Sequence, residues 1–502
     1  MAAFPAGISL CMIVKNEERF LADALRSVTG VVDEICVVDT GSTDGTVAIA
    51  ESFGARLKRV EWRDDFAWAR NQAITMATHR WIFMLDADER LAESSHDGVR
   101  AIGSTSAAGR GKWIMCRNLS DEIKGSGAMT NALVRIFPND PRIRYRNPIH
   151  EFVARDGAEG GLPSDKTAIE IIHHGYLTEV VRDREKAERN LRLSRSAVER
   201  EPDDPFHHYN FGMALLLAGD REGAAAALAQ TRQMTRQTPR GFRAHALAAL
   251  ADLYNERDTD SGAAIETITE CLTVAPNYST AHFTHGKILA KRGEFHAARD
   301  AFGRAIAAGE HDAEQFVVDN EVAIWKAHSE IGATLMHEKR YADALKWFEL
   351  ASAARPMAAP LLVNRAKCHE QLGDLGSAAT LYRAAFDAFK DEASAIEWVN
   401  FLLRAGRENE ALDAIEACLA CVSPGYQCVF LGTAALVHLR AGRESEAAEA
   451  LERALAALHP AEARQTLMAL AERMGAPDLV KMLPASVPAR APGLRIAYNP
   501  EQ

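Results

Sequence analysis

Trp81-Ile82-Phe83-Met84-Leu85-Asp86-Ala87-Asp88-Glu89 is an apolar run that stops in three acids within four residues. Five consecutive apolar side chains bounded by polar loops read as a strand buried on both faces. Acids set this close repel one another, and a divalent cation removes the repulsion. Asp86 and Asp88 stand two apart, so on extended backbone they face one ligand together. Hard carboxylate oxygens suit Mg²⁺ or Mn²⁺, which would bridge to a diphosphate. A solvated acidic turn is the alternative reading of the same residues.

Outward from this run the first third of the chain keeps one texture. Apolar runs at 8–14, 34–38, 113–116, 132–137 and 168–172 are separated by polar loops. Helical stretches at 19–28, 46–53 and 67–78 fall between the first three strands. This alternation predicts an α/β domain with a parallel sheet covered on both faces. In such sheets ligands bind beyond the C-terminal ends of the strands. The run Glu34-Ile-Cys-Val-Val-Asp39 ends in an acid, and the polar turn Thr40-Gly41-Ser42-Thr43-Asp44-Gly45 then enters a helix. Asp39 is placed to accept hydrogen bonds from a base or ribose. Ser42, Thr43 and Asp44 are good N-cap types, and Asp44 reads mainly as the cap.

From about residue 203 the texture changes to Ala- and Leu-rich helices with no strand signal. Ala264, Ala298, Ala344, Ala378, Ala411 and Ala447 open the same helical phrase, at steps of 34, 46, 34, 33 and 36 residues. The step of 46 equals 34 plus a 12-residue insertion, expected within 307–322. Around Ala344 the phrase is fullest, with Gly332 before it and Phe348, Ala351 and Pro356 after it. Gly286, Ala298, Phe302 and Ala305 repeat the spacing, as do Ala366, Ala378, Tyr382 and Ala385, and a looser copy starts near Pro205 with Gly212 and Ala224. The pattern resembles the tetratricopeptide repeat, in which small residues let paired helices approach and each pair buries its apolar face on its neighbours. About seven copies are expected over 205–460, preceded by a linker helix at 177–204 and closed by a capping helix at 461–483. The tail at 484–502, with four prolines, is expected to lack fixed structure.

Composition narrows the function. With 58 Lys and Arg against 69 Asp and Glu, the net charge of −11 argues against a general binder of nucleic acid or anionic membrane. No run approaches the ~18 to 20 apolar residues that span a bilayer. Residues 1–18 lack the tripartite pattern of a signal peptide, so a cytoplasmic chain with no integral membrane segment is expected. The eight cysteines are scattered, and Cys418 and Cys421 form a lone pair on an Ala-rich helix. They read as small buried residues.

Taken together, 8–17, 37–46 and 85–89 resemble the nucleotide-sugar domain of the family 2 glycosyltransferases, with Asp86 and Asp88 as the metal-binding acid pair. The resemblance spans roughly 8–190. It implies an A-type glycosyltransferase fold over 1–176, a nucleoside-diphosphate sugar donor with uridine as its base, and an inverting reaction. Lys15, Glu17, Asp39, Arg70, Asn71 and Asp86 are the donor contacts it implies. The closer likeness is to bacterial enzymes joined to tetratricopeptide repeats, which include peptide glycosyltransferases of the sublancin type. Phe66-Ala-Trp-Ala-Arg70-Asn71, His173-His174-Gly175-Tyr176 and the stretch 186–190 carry it.

An inverting transfer needs a carboxylate to deprotonate the acceptor. Glu151 lies where the family carries an acidic dipeptide ending in its base, although the pair here is His150-Glu151. Asp121 or Glu122 is the alternative. His173, after the strand at 168–172, is the candidate further metal ligand, with His174 competing. Arg135, Arg142, Arg144 and Arg146 either meet the departing diphosphate or an anionic acceptor, or line a charged outer strand face. His282 and His285 have metal-like spacing but fall on packing positions of the repeats.

The repeats suggest a groove that presents a protein or peptide acceptor. Only Asn210 and Asn364 share the sixth repeat position, so no asparagine ladder is present to grip an acceptor backbone. The groove serves dimerisation or anchoring to a complex as alternatives. A surface glycan or lipid-linked sugar is the competing acceptor, and a scaffold with a decayed transferase domain is the competing non-enzyme.

Overall fold

Six apolar residues and Ser9 make the central strand, β1 (Ile8–Val14), which lies between β2 (Glu34–Asp39) and β4 (Trp81–Met84) and runs parallel to both. The computed structural model describes residues 4–118, 129–158, 160–174, 180–236, 242–257, 261–309, 318–319, 321–356 and 358–483. β3 (Arg56–Arg59) extends the sheet beyond β2, again in parallel. On the other side the order continues through β7 (Met129–Pro138), β6 (Gly111–Asn118), β10 (Ser164–His173) and β5 (Glu89–Leu91).

The sheet is therefore mixed, which corrects the expectation of a parallel one. β7 runs antiparallel to both β4 and β6, and β5 antiparallel to β10, while β6 and β10 are parallel. β6 and β7 follow one another directly in the chain, and neighbours joined by a single return must oppose in direction. A separate ribbon, β8 (Ile143–Arg146) and β9 (Phe152–Arg155), also lies outside the six strands that the apolar runs predict. At three or four residues, β3, β5, β8 and β9 are too short to show a period.

Both sheet faces are covered. Leu10, Met12 and Val14 of β1 pack with Leu21, Ala24 and Leu25 of α1 (Leu21–Val28), Ala50 of α2 (Thr46–Ser52) and Val99 of α4 (His96–Ser104). The opposite face, through Cys11, Val38 and Met84, meets Ala67, Ala73 and Ile74 of α3 (Phe66–Ile74), with Tyr145 and Val153 of the ribbon. Asp65 starts α3 by accepting the Trp68 amide at 2.8 Å, the N-cap bond that lets the helix begin under the sheet.

The chain divides into two units, Met1–Glu330 and Ile331–Gln502. In the first, α5 (Val180–Arg200) leads from the sheet domain to three helix pairs: α6 (Pro205–Leu217) with α7 (Arg221–Met234), α8 (Arg243–Glu256) with α9 (Ser261–Val274), and α10 (Ser279–Lys291) with α11 (Phe295–Ala308). Met115 of β6 packs against the apolar core formed by α8, α9 and α10, so these repeats touch the sheet. After α11 comes the insertion, whose described part, β11 (Val318–Asp319), pairs antiparallel with Thr130 and Met129 of β7. Helical structure resumes at Val322, and α12 (Ala327–His337) follows.

The second unit holds α13 (Tyr341–Ala354), α14 (Ala359–Gln371), α15 (Leu375–Phe389), α16 (Glu392–Arg404), α17 (Glu408–Cys418), α18 (Pro424–Arg440), α19 (Glu444–Ala456), α20 (Pro460–Arg473) and α21 (Pro477–Met482). The aligned alanines Ala264, Ala298, Ala344, Ala378, Ala411 and Ala447 are all fully buried. Gly332 shows why small residues recur: a Cβ there would sit 2.7–2.9 Å from the Phe348 ring. The tail from 484 lies outside the described residues. Among those described, no helix is long and apolar enough to cross a membrane.

Candidate donor and transfer site

β4 delivers the acid run to the C-terminal end of the parallel strands, but the acids themselves lie on a turn. The Glu89 N–H donates to the Asp86 carbonyl at 3.0 Å, closing Asp86–Glu89, and the two aspartates leave the turn toward different partners. Asp88 Oδ2 faces His173 Nε2 at 3.1 Å. Asp86 is held by two arginines instead, Oδ1 by Arg70 Nη1 at 2.8 Å and Oδ2 by Arg135 Nη2 at 2.8 Å. Burial works against the Asp86 charge, but Arg135 and Arg70 outweigh it and hold the carboxyl well below the ordinary range. Glu89 is 3% exposed and binds Arg135 through Oε1 at 2.7 Å. Burial pushes its carboxyl up, with Arg135 opposing.

Arg70 joins the acid turn to Glu151. Its Nε donates to Glu151 Oε1 at 2.6 Å while its Nη1 meets Asp86, and its guanidinium lies 5.4 Å from the centre of the Tyr145 ring. Arg70 stands mid-way along α3 and is 5% exposed. The Tyr145 hydroxyl is buried in the same network with no hydrogen-bond partner among the described residues; burial pushes it up to about 12, so it keeps its proton at neutral pH. Asn71 is a structural clamp: its amide donates to the Tyr145 carbonyl and its Oδ1 accepts the Tyr145 N–H, each at 2.9 Å. His150, in the left-handed region at φ 53°, has its imidazole pKa lowered by burial.

A cleft of about 500 Å³ opens at the ends of β2 and β3 and is lined by Asp39, Gly41, Ser42, Thr43, Asp44, Val47, Arg59, Val60 and Glu61. Asp39 is 3% exposed, and its carboxylate accepts the Ser42 N–H at 3.1 Å. The N-cap of α2 is Gly45, not Asp44 as expected; Asp44, one residue earlier, takes the Thr46 N–H at 3.0 Å and the Glu18 N–H at 3.2 Å. The Glu17 N–H donates to Thr46 Oγ1 at 2.7 Å, which ties the end of β1 to this turn. Lys15 is exposed and does not line the cleft. Arg59 and Glu61, which the apolar runs leave unmarked, do.

The remaining candidates separate. His173 brings its side chain to Asp88, whereas His174 meets Asp88 through its backbone N–H at 2.8 Å. Asp121 and Glu122 lie outside the described residues. Of the four arginines, Arg135 is buried against the acids, while Arg142 pairs with Asp140 at 2.8 Å, Arg144 donates to the Ile143 carbonyl and Arg146 to the Arg155 carbonyl. The charged outer face thus describes Arg142, and Arg135 departs from it. His282 is 8% exposed with Nε2 on the Pro276 carbonyl at 2.7 Å, as a packing residue should be. Asn210 spends its amide on the Phe206 carbonyl at 2.9 Å. Cys418 is buried.

A divalent cation fits the Asp88–His173 pair. Two cis ligands bonded near 2.1 Å stand about 3 Å apart, the separation these atoms already have, and a carboxylate with an imidazole suits Mn²⁺ or, with more water, Mg²⁺. Asp88 and His173 are a pair; among the described residues the group of three with ligand-like spacing is Glu201, Asp204 and His207, but Asp204 there caps α6 through the Phe206 N–H at 2.8 Å.

Residues 9–96 match the model of glycosyl transferase family 2. A TPR repeat-containing protein of Synechococcus elongatus is 33% identical over 318 residues, covering 61% of this chain and 77% of that protein. The glycosyltransferase SunS of Bacillus subtilis is 26% identical over 219 residues, covering 43% of this chain and 51% of SunS. Among solved structures, a tetratricopeptide repeat protein from Parabacteroides merdae aligns at 13% identity with a TM-score of 0.36, covering 56% of this chain and 98% of that one.

Proposed function

We propose that this chain, which belongs to the family 2 glycosyltransferases joined to tetratricopeptide repeats, moves a hexose from a nucleoside-diphosphate sugar to a protein or peptide acceptor, with inversion. One observation carries the reading: Asp88 and His173 converge beside Asp86, and Arg70 links that cluster directly to Glu151. A cation-and-donor side and a proton-accepting side then meet within one buried network.

The cleft at Asp39 receives the base and ribose. Asp39 accepts from them, and the uridine preference rests on the family resemblance alone. Asp88 and His173 would hold Mg²⁺ or Mn²⁺, which when bound neutralises the diphosphate. Arg70 fixes Glu151 by Oε1, leaving Oε2 as the proton acceptor. As the acceptor heteroatom attacks the anomeric carbon from the face opposite the diphosphate, its proton passes to Glu151. The bond from that carbon to the diphosphate oxygen breaks, and the leaving group departs with the electron pair. Arg70 and Arg135 hold Asp86 ionised and offset its charge, so that it does not repel the departing diphosphate.

The protein or peptide acceptor is favoured by the helix pairs that follow the sheet and by the packing of Met115 against the α8–α10 core, which holds these helices beside it. The test is incubation with labelled UDP-, GDP- and dTDP-hexoses, Mn²⁺ and a protein extract, with Asp88→Ala alongside. One nucleotide should label the protein fraction in a manner lost in Asp88→Ala. Label confined to glycan or lipid would overturn the acceptor, and no donor consumption would overturn the transferase.

A further inference from the structure

The acid turn is braced from behind by two buried residues, Glu89 and Arg135. Glu89 closes the turn twice, by its N–H to the Asp86 carbonyl at 3.0 Å and by its Oε2, which accepts the Asp86 N–H at 2.9 Å. Its other oxygen receives Arg135 Nη2 at 2.7 Å, and the same Nη2 reaches Asp86 Oδ2 at 2.8 Å. Across the sheet, Glu89 of β5 lies directly opposite His173 of β10. The residue before Glu89 and the residue opposite it are therefore the two whose side chains meet at 3.1 Å.

A buried ion pair is a poor way to gain stability, since apolar residues of similar volume hold a core as well or better. Glu89 and Arg135, 3% and 9% exposed, call for another explanation. We propose that they are positioning residues: the brace sets the turn so that Asp88 stands against His173 at cation-binding distance. This rests on the donor reading above, and it assigns Arg135 to the turn rather than to the departing diphosphate.

The test replaces the pair together, as Glu89→Met with Arg135→Met, so that no charge is left buried alone. Calorimetry follows Mn²⁺ uptake with UDP, GDP and dTDP in turn, and electron paramagnetic resonance counts bound Mn²⁺. The double variant should melt within a few degrees of wild type and bind each nucleotide without metal as wild type does. Its Mn²⁺ half-saturation with the preferred nucleotide should weaken on the order of 10- to 100-fold, the usual cost of losing a residue that orients a metal ligand. Should the double variant not fold, Glu89→Gln keeps the side-chain volume and should show the same direction of change. A folded variant that takes up Mn²⁺ as wild type does overturns the brace alone. A wild type that takes up no Mn²⁺ with any of the three nucleotides overturns the donor reading itself.

Discussion

Asp88→Asn removes one of the two side chains that meet at the acid turn while keeping its shape. In wild type, a nucleotide with Mn²⁺ at about 100 times its dissociation constant adds about 2.7 kcal/mol to the folded state. Two melting units bracket the thermal shift. The sheet domain melting with the repeats of Met1–Glu330 gives about 4 °C, and residues 1–176 melting alone give about 7 °C, from a typical unfolding entropy per residue. If the substitution weakens cation binding about 100-fold, the ligand is left near its dissociation constant, and the stabilisation falls to about 0.4 kcal/mol, or roughly 1 °C. The unliganded variant should lose less than about 1 kcal/mol, because the Asp88–His173 pair is partly exposed. Scanning calorimetry on both proteins, with and without EDTA, reads all four values. An Asp88→Asn shift equal to that of wild type, or a wild-type shift that EDTA leaves unchanged, would refute the assignment.

Glu151→Gln keeps the acceptor for Arg70 Nε, so it should hold its melting temperature and nucleotide affinity while the transfer rate falls by about 10²- to 10⁴-fold in steady-state assays; a loss below threefold excludes it as the base. Gly332→Ala should cost about 1–2 kcal/mol in chemical denaturation despite the better helix former, because its Cβ meets the Phe348 ring at 2.7–2.9 Å, and Phe348→Leu in the same chain should recover part of the loss. Glu34 is pushed up by burial but held down to about 2 by the Ser9 hydroxyl, Thr78 and His79. A folded-state value below the ordinary 4.5 gives stability that is present above about pH 4.5 and is lost as pH falls toward 2. Acid titration of Glu34→Gln should therefore be flatter than wild type across that window, and parallel curves would show that Glu34 is not linked to folding.

The periodic parts of the chain announced themselves. β1, β2 and β4 are continuous apolar runs because parallel strands in mid-sheet are buried on both faces, and the repeat spacing of alanines reports where helices touch. The mixed half of the sheet did not announce itself. Its runs at 113–116 and 132–137 look like the others, since burial alone makes them apolar, and direction depends on how the chain returns between them. β3 carries Arg56, Lys58 and Arg59 and hides inside what reads as a basic loop, yet it brings Arg59, Val60 and Glu61 to the cleft at Asp39.

The site divides along the same line. Asp39, Asp86 and Asp88 stood out because acids at the ends of buried strands are anomalous by local rules. What each acid does was fixed elsewhere in the sequence. Arg70 lies 81 residues from Glu151, and Arg135 lies 49 from Asp86 and 46 from Glu89. A basic residue on a strand carries the same local signature whether it faces water or a buried carboxylate. Arg135 and Arg142 sit seven apart in one basic stretch, yet the first is buried in the acid network and the second is on the outside. Strand order decides between them: β7 lies beside β4, so Arg135 arrives behind the acid turn, whereas Arg142 lies in the connection beyond β7 and meets Asp140. The acid run is thus marked by its own local sequence, and the arginines that shape it become visible once β7 is paired with β4.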